Sequence, residues 1–146
     1  MKAKTILIAY KDATWAEPLN EFFHELGYRV EMASAVNQAV QRVLYGDIHV
    51  LLLDDEVEGM TAWELVPLLK SVNRRVQAIV ISSQESLEAA RRLRSAGIFY
   101  QAMKPVDLEE LRSAVECAFA KIQREGFMEG LFSFFVPSRA MTLCSC

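Results

Sequence analysis

Val50-Leu51-Leu52-Leu53-Asp54 is an unbroken apolar run that ends in an acid. Runs of this kind, without polar alternation, belong to strands buried on both faces, as in a parallel sheet covered by helices. The acid then stands at the carboxyl tip of the strand, where ligand sites of open α/β sheets form. A second short apolar stretch, Phe99 to Met103, leads into Lys104-Pro105 and can bring an ammonium to the same edge. The two together suggest a charged site rather than a scaffold alone.

Outward from this run, short apolar segments alternate with segments of helical period, the pattern of a parallel sheet with crossover helices. The expected strands are Thr5 to Ala9, Arg29 to Met32, Val50 to Leu53, Ala78 to Ser82 and Phe99 to Met103. Thr14 with Glu17, Thr61 with Glu64 and Asp107 with Glu110 form capping-box patterns, each opening a segment whose apolar residues can face a sheet. Gly27 and Gly97 read as helix stops. Two further helices are expected over Ala35 to Tyr45 and Leu87 to Ser95, giving five strands and five helices. Pro67, inside the third helix, removes a hydrogen bond there.

At 146 residues the chain fits one domain with a core of ordinary size. A net charge of −3 and a pI near 5.4 give no electrostatic reason to expect nucleic acid. The arginine clusters, Arg74-Arg75 and Arg91, Arg92 and Arg94, read as solvated helix faces. Cys117, Cys144 and Cys146 have no framework spacing, and acids and lysines interrupt the N-terminus early, so a cytoplasmic location is expected. Cys144-Ser145-Cys146 reads as a frayed terminus rather than a metal or redox pair.

An acid after the third strand, a small hydroxyl after the fourth and Lys-Pro after the fifth, in that order, resemble the receiver domain of two-component response regulators over roughly residues 4 to 124. The matching pieces are Leu52-Leu53-Asp54, Gly59-Met60, Glu64-Leu65, Ile81-Ser82-Ser83, Ala96-Gly97, and Lys104-Pro105 followed by Asp107-Leu108. The resemblance implies a CheY-like, flavodoxin-like (βα)5 doubly wound sheet in order 2-1-3-4-5, with the site at its carboxyl edge. It also implies that Asp54 accepts a phosphoryl group and that Lys104 neutralises the phosphoryl oxygens. It further implies that Ser82 turns to bond one of those oxygens and that Lys104-Pro105 is a cis bond. By itself Asp54 reads equally well as a turn acid, Lys104 as a surface lysine and Ser82 as nothing in particular.

Departures from the family pattern bear on mechanism. Family members end the first strand in an acidic pair that holds Mg2+ with the acceptor; here Tyr10-Lys11 follow Ala9, and the first acid is Asp12. A lysine supplies the wrong charge for a hard cation, so metal binding of the usual kind is not expected. Asp12, or Glu56 two positions after Asp54, could lend an oxygen. Alternatively the Lys11 ammonium takes the ion's place, pairs with Asp54 and lowers its pKa, or the side chain simply points to solvent. After Asp54 the family's proline and Asp-Gly pair are replaced by Glu58, Thr61 and Ala62, where a backbone needing positive φ would cost energy. Gln101 stands where the family carries its aromatic switch, and Tyr100 beside it belongs to the opposite sheet face.

The expected organisation is a receiver domain over 1–124 and an apolar C-terminal extension over 125–146. From Phe127 to Pro137 six of eleven residues are large apolar side chains other than methionine, too short a run to cross a bilayer. The extension reads as a strap on its own domain, a self-association or partner segment, or a membrane-interface anchor. The resulting expectation is a single-domain response regulator that takes phosphate from a histidine kinase or phosphotransfer protein and signals to a downstream protein or as a homodimer. The alternative is a pseudo-receiver that binds partners without phosphorylation. A flavodoxin-like enzyme is disfavoured, because neither His24, on a helix, nor His49, opening a strand, stands where a catalytic base is needed.

Overall fold

The computed structural model of the chain describes residues 3–132, with side chains through residue 126. In chain order its elements are β1 (Thr5–Ala9), α1 (Ala13–Glu25), β2 (Arg29–Ala33), α2 (Val36–Tyr45), β3 (Val50–Asp54), β4 (Glu56–Val57), β5 (Met60–Thr61), α3 (Ala62–Val72), β6 (Gln77–Ser82), α4 (Leu87–Ser95), β7 (Tyr100–Met103) and α5 (Leu108–Phe132). The five main strands pair in parallel in the order β2-β1-β3-β6-β7, the flavodoxin-like order that the resemblance implies. The topology changes direction at β1, between β2 and β3, and opens a crevice at the carboxyl edge.

β1, β3 and β6 are buried at every position, whereas the outer strands β2 and β7 are half-exposed. Strand alternation sends Leu7, Leu51, Leu53 and Val80 to one face, against Val43 of α2 and Leu65 and Leu69 of α3. Ile6, Ile8, Leu52 and Ile79 go to the other, against Phe23 of α1 and Leu111, Val115 and Phe119 of α5. At roughly 1.5–3 kcal/mol per fully buried large aliphatic side chain, these two layers dominate stability. They hold the loops at the carboxyl edge on a rigid floor. At the other edge His49 Nδ1 accepts the Thr5 N–H at 3.1 Å and its ring lies against Phe119.

Helix ends differ from expectation in instructive ways. α1 is capped by Asp12, whose Oδ1 accepts the Thr14 N–H at 2.9 Å and the Thr14 hydroxyl at 2.8 Å. The box expected at Thr14 and Glu17 is not used, because an acid two residues earlier already serves the free N–H groups. The Thr61 box is present: Glu64 accepts the Thr61 N–H at 3.0 Å. Asp107 caps α5 through the N–H groups of Glu109 and Glu110, but the Glu110 carboxylate turns instead to the Tyr100 hydroxyl at 2.6 Å. Helices α1 and α3 continue through Pro18 and Pro67. α5 runs without a break across the expected boundary between residues 124 and 125. The rest of the apolar extension, residues 133–146 with its terminal cysteines, lies outside the described residues.

The loop after Asp54 holds a further surprise, since β4 and β5 form a small antiparallel hairpin. Its two turn residues, Glu58 at φ 50° and Gly59 at φ 80°, are both left-handed, as a two-residue hairpin turn of this twist demands. The cost of positive φ therefore falls on Glu58 rather than on Ala62, which begins α3. Glu58 offsets it by accepting the Val36 N–H at 2.6 Å, capping α2, whose own N-cap Ala35 has no side-chain acceptor.

Candidate functional site

Asp54, Lys11, Asp12, Ser82 and Lys104 all come from ends of β1, β3, β6 and β7, so the sheet order alone brings them to one edge. Asp54 is 4% exposed, and both its oxygens are occupied. Oδ1 accepts the Lys104 ammonium and the Asp55 N–H, each at 2.9 Å. Oδ2 accepts the Trp15 indole N–H at 2.9 Å and the Lys11 backbone N–H at 3.1 Å. Burial pushes the Asp54 carboxyl up, but the Lys104 ammonium, the indole and the two backbone N–H groups outweigh it and hold the group below the usual carboxylate range. Asp54 is thus a charged, fully bonded carboxylate.

The Lys11 side chain does not take the expected position. Its ammonium bonds Glu56 Oε1 at 2.6 Å, with 65% of the side chain exposed, and that pairing raises its pKa. Only the backbone of Lys11 reaches Asp54. The physical reason is that Oδ2 is already held by the Trp15 indole, while Glu56 offers an unshielded carboxylate at the mouth. Trp15 was not foreseen as a site residue. It lies in the first turn of α1, its indole pointing to Asp54 and its ring face 5.6 Å from the Lys104 ammonium. A large hydrogen-bond donor so near a strand end that lacks its acids is the signal that could have found it.

Ser82 is buried and turned into its own loop, where its Oγ accepts the Gln84 N–H at 3.0 Å. Gln101 lies on β7, its amide 3.8 Å from Met103 Sδ, while Tyr100 packs on the α1/α5 layer as strand alternation requires. Lys104-Pro105 is cis. The resulting cleft, about 660 Å³, is lined among others by Asp12, Asp54, Asp55 and Glu56 against Lys11 and Lys104.

The divalent cation that the resemblance implies does not fit these residues. Each Asp54 oxygen already takes two protein donors, Asp12 is committed to the α1 cap and Glu56 to Lys11. Among the described residues no three acidic, histidine or cysteine side chains converge on a point that could hold a metal.

Comparison with known proteins agrees with this fold. The model of the response regulator receiver domain matches residues 6–116, and the chain belongs to that family of two-component signalling proteins. A DNA-binding transcriptional regulator NtrC of Azospirillum brasilense is 30% identical over 118 residues, 81% of this chain and 24% of that protein. Its counterpart in Bradyrhizobium is 28% identical over 121 residues, 83% of this chain and 25% of that protein. The chain therefore spans about a quarter of the length of the curated relatives it matches. In fold it is similar to a CheY-like receiver domain from Methanospirillum hungatei, with a TM-score of 0.79, 22% identity and coverage of 85% of this chain and 99% of that one. It is also similar to the beryllofluoride-activated NtrC4 receiver domain dimer, with a TM-score of 0.75, 19% identity, and coverage of 81% and 98%. No described helix is long and apolar enough to cross a membrane.

Proposed function

We propose that this chain is a receiver module that signals through protein–protein contact, and that its Asp54 is held in one state by the protein's own donors rather than cycled by a phosphoryl group. The observation that carries this reading is the occupation of both Asp54 oxygens, two donors each, where the acids needed for a metal are replaced by Tyr10 and Lys11. A phosphodonor approaching the cleft meets four carboxylates and two ammonium groups, both of the latter already paired. Without a divalent ion to offset this, phosphoryl transfer lacks most of its electrostatic stabilisation.

A second reading keeps Asp54 as a phosphoacceptor served by a histidine kinase or phosphotransfer protein. The Lys104 ammonium at 2.9 Å, placed to neutralise a phosphoryl oxygen, favours it. In that reaction an Asp54 oxygen attacks phosphorus, an acyl phosphate O–P bond forms as the donor's P–N bond breaks, and the departing imidazole takes up a proton. Whichever oxygen attacks would first have to release a donor, on Oδ1 Lys104 or the Asp55 N–H and on Oδ2 the Trp15 indole or the Lys11 N–H.

Intact mass after incubation with acetyl phosphate or phosphoramidate, with and without Mg2+, decides between the two. Unchanged mass in both conditions is the expected result. Addition of one phosphoryl group that disappears in Asp54→Asn would establish the second reading instead.

A further inference from the structure

Asp55 follows the central acid and turns its carboxylate the other way, toward the loop between β6 and α4. Its Oδ2 accepts both the backbone N–H and the hydroxyl of Ser83, each at 2.9 Å. Its own N–H donates to Asp54 Oδ1 at 2.9 Å, and its carbonyl accepts the N–H of Ala62, the first residue of α3, at 2.8 Å. One residue thus touches the central acid, the start of α3 and the loop that leads to α4.

Beyond Ser83, α4 buries little of itself, although the Arg92 guanidinium lies 5.3 Å from the Trp63 ring of α3. Of its nine residues only Ala89 and Leu93 are buried, and Leu87 at its start is 67% exposed. Its cap is local, with Ser86 Oγ accepting the Ala89 N–H at 3.0 Å, so the cap fixes the helix to its own loop and not to the sheet. Ser82, through which the resemblance would run any coupling to this loop, spends its hydroxyl on Gln84. The charge-assisted pair of hydrogen bonds that Ser83 donates to Asp55 is a polar tie that joins the β3 end to the α4 loop.

We propose that Asp55 is the positioning residue that fixes α4 against the carboxyl edge, in place of the route through Ser82. It holds the loop by accepting two hydrogen bonds from one residue, which sets the direction from which α4 leaves β6. The inference deepens the receiver reading, because it names the contact that fixes the helix a partner would meet. It does not depend on whether Asp54 takes a phosphoryl group.

Amide hydrogen exchange on the whole chain, without phosphodonor, tests it. Asp55→Ala removes both hydrogen bonds from Ser83 and should speed exchange across residues 83–95 by about tenfold or more, the least expected from losing even one charged hydrogen bond, while β1 and β3 amides keep their protection. Asp55→Asn keeps an acceptor oxygen for the Ser83 N–H and should restore most of the protection. Ser83→Ala should give a smaller loosening in the same segment. Unchanged exchange at 83–95 in Asp55→Ala, or an increase spread evenly over the sheet, would overturn the proposal. Because no donor is present, such a failure would leave the reading of Asp54 standing or falling on its own mass measurement.

Discussion

Asp54 is gripped from two sides that differ in kind. On the Oδ1 side stand Lys104 and the Asp55 N–H, a cation and a backbone group. On the Oδ2 side stand the Trp15 indole and the Lys11 N–H, both neutral donors. The first side carries the lysine that the resemblance implies would neutralise phosphoryl oxygens. The second meets the same carboxylate with donors that belong to the chain and cannot be washed out. A bound ion can leave, and with it the state of the site; on the proposed reading, fixed N–H donors make that state a property of the fold.

The largest expected effect comes from breaking the charged side. Lys104→Met leaves a carboxylate at 6% side-chain exposure without its cation, and should cost about 3 kcal/mol in denaturant unfolding, the low end for breaking a buried pair. Breaking the neutral side should cost less. Trp15→Phe keeps the ring but removes the indole donor, with an expected loss of about 1.5 kcal/mol by the same measurement. If the two losses came out in the reverse order, the division of labour between the sides would be wrong.

The acid limb of stability sharpens the comparison. Asp54 has a lowered folded-state pKa, so its contribution is fully present above the ordinary carboxylate pKa of about 4 and is lost as pH falls through the depressed value. Asp54→Asn should therefore flatten the fall in unfolding free energy below about pH 4 and leave the neutral region's slope alone. Unfolding midpoints across an acid pH series in both proteins check this. The smallest effect should come from Lys11→Ala. Its exposed ammonium pairs with Glu56, and its backbone is what bonds Asp54, so no measurable change in midpoint is expected.

These same residues mark how far the sequence could be read. Strands β1, β3 and β6 were legible because burial on both faces writes itself as continuous apolar runs, and α4 because its period and Gly97 bound it at Leu87 and Ser95. Asp54 was legible because it terminates such a run, and Lys104 because it follows a short, partly apolar stretch and precedes Pro105. The hairpin at β4 and β5 was not, since two-residue strands leave no period and the turn places a glutamate at positive φ. Trp15 was hidden by its helix: on α1 an aromatic reads as packing, and only the three-dimensional approach of α1 to the β3 tip turns its N–H toward a carboxylate. The Lys11 ammonium was placed on Asp54 by charge alone, which counted Glu56 as a ligand and not as a competitor.

The central claim is that the Oδ2 side is filled by the protein and not by a metal. The most direct measurement is a titration with Mg2+ that follows the Trp15 indole N–H by nitrogen-15 NMR, assigned by its loss in Trp15→Phe. The expected result is an indole resonance that stays in place through millimolar Mg2+, as a hydrogen bond already made to Asp54 requires. A saturable shift of that resonance would contradict the account, because it would mean that an ion can displace the indole and claim the oxygen.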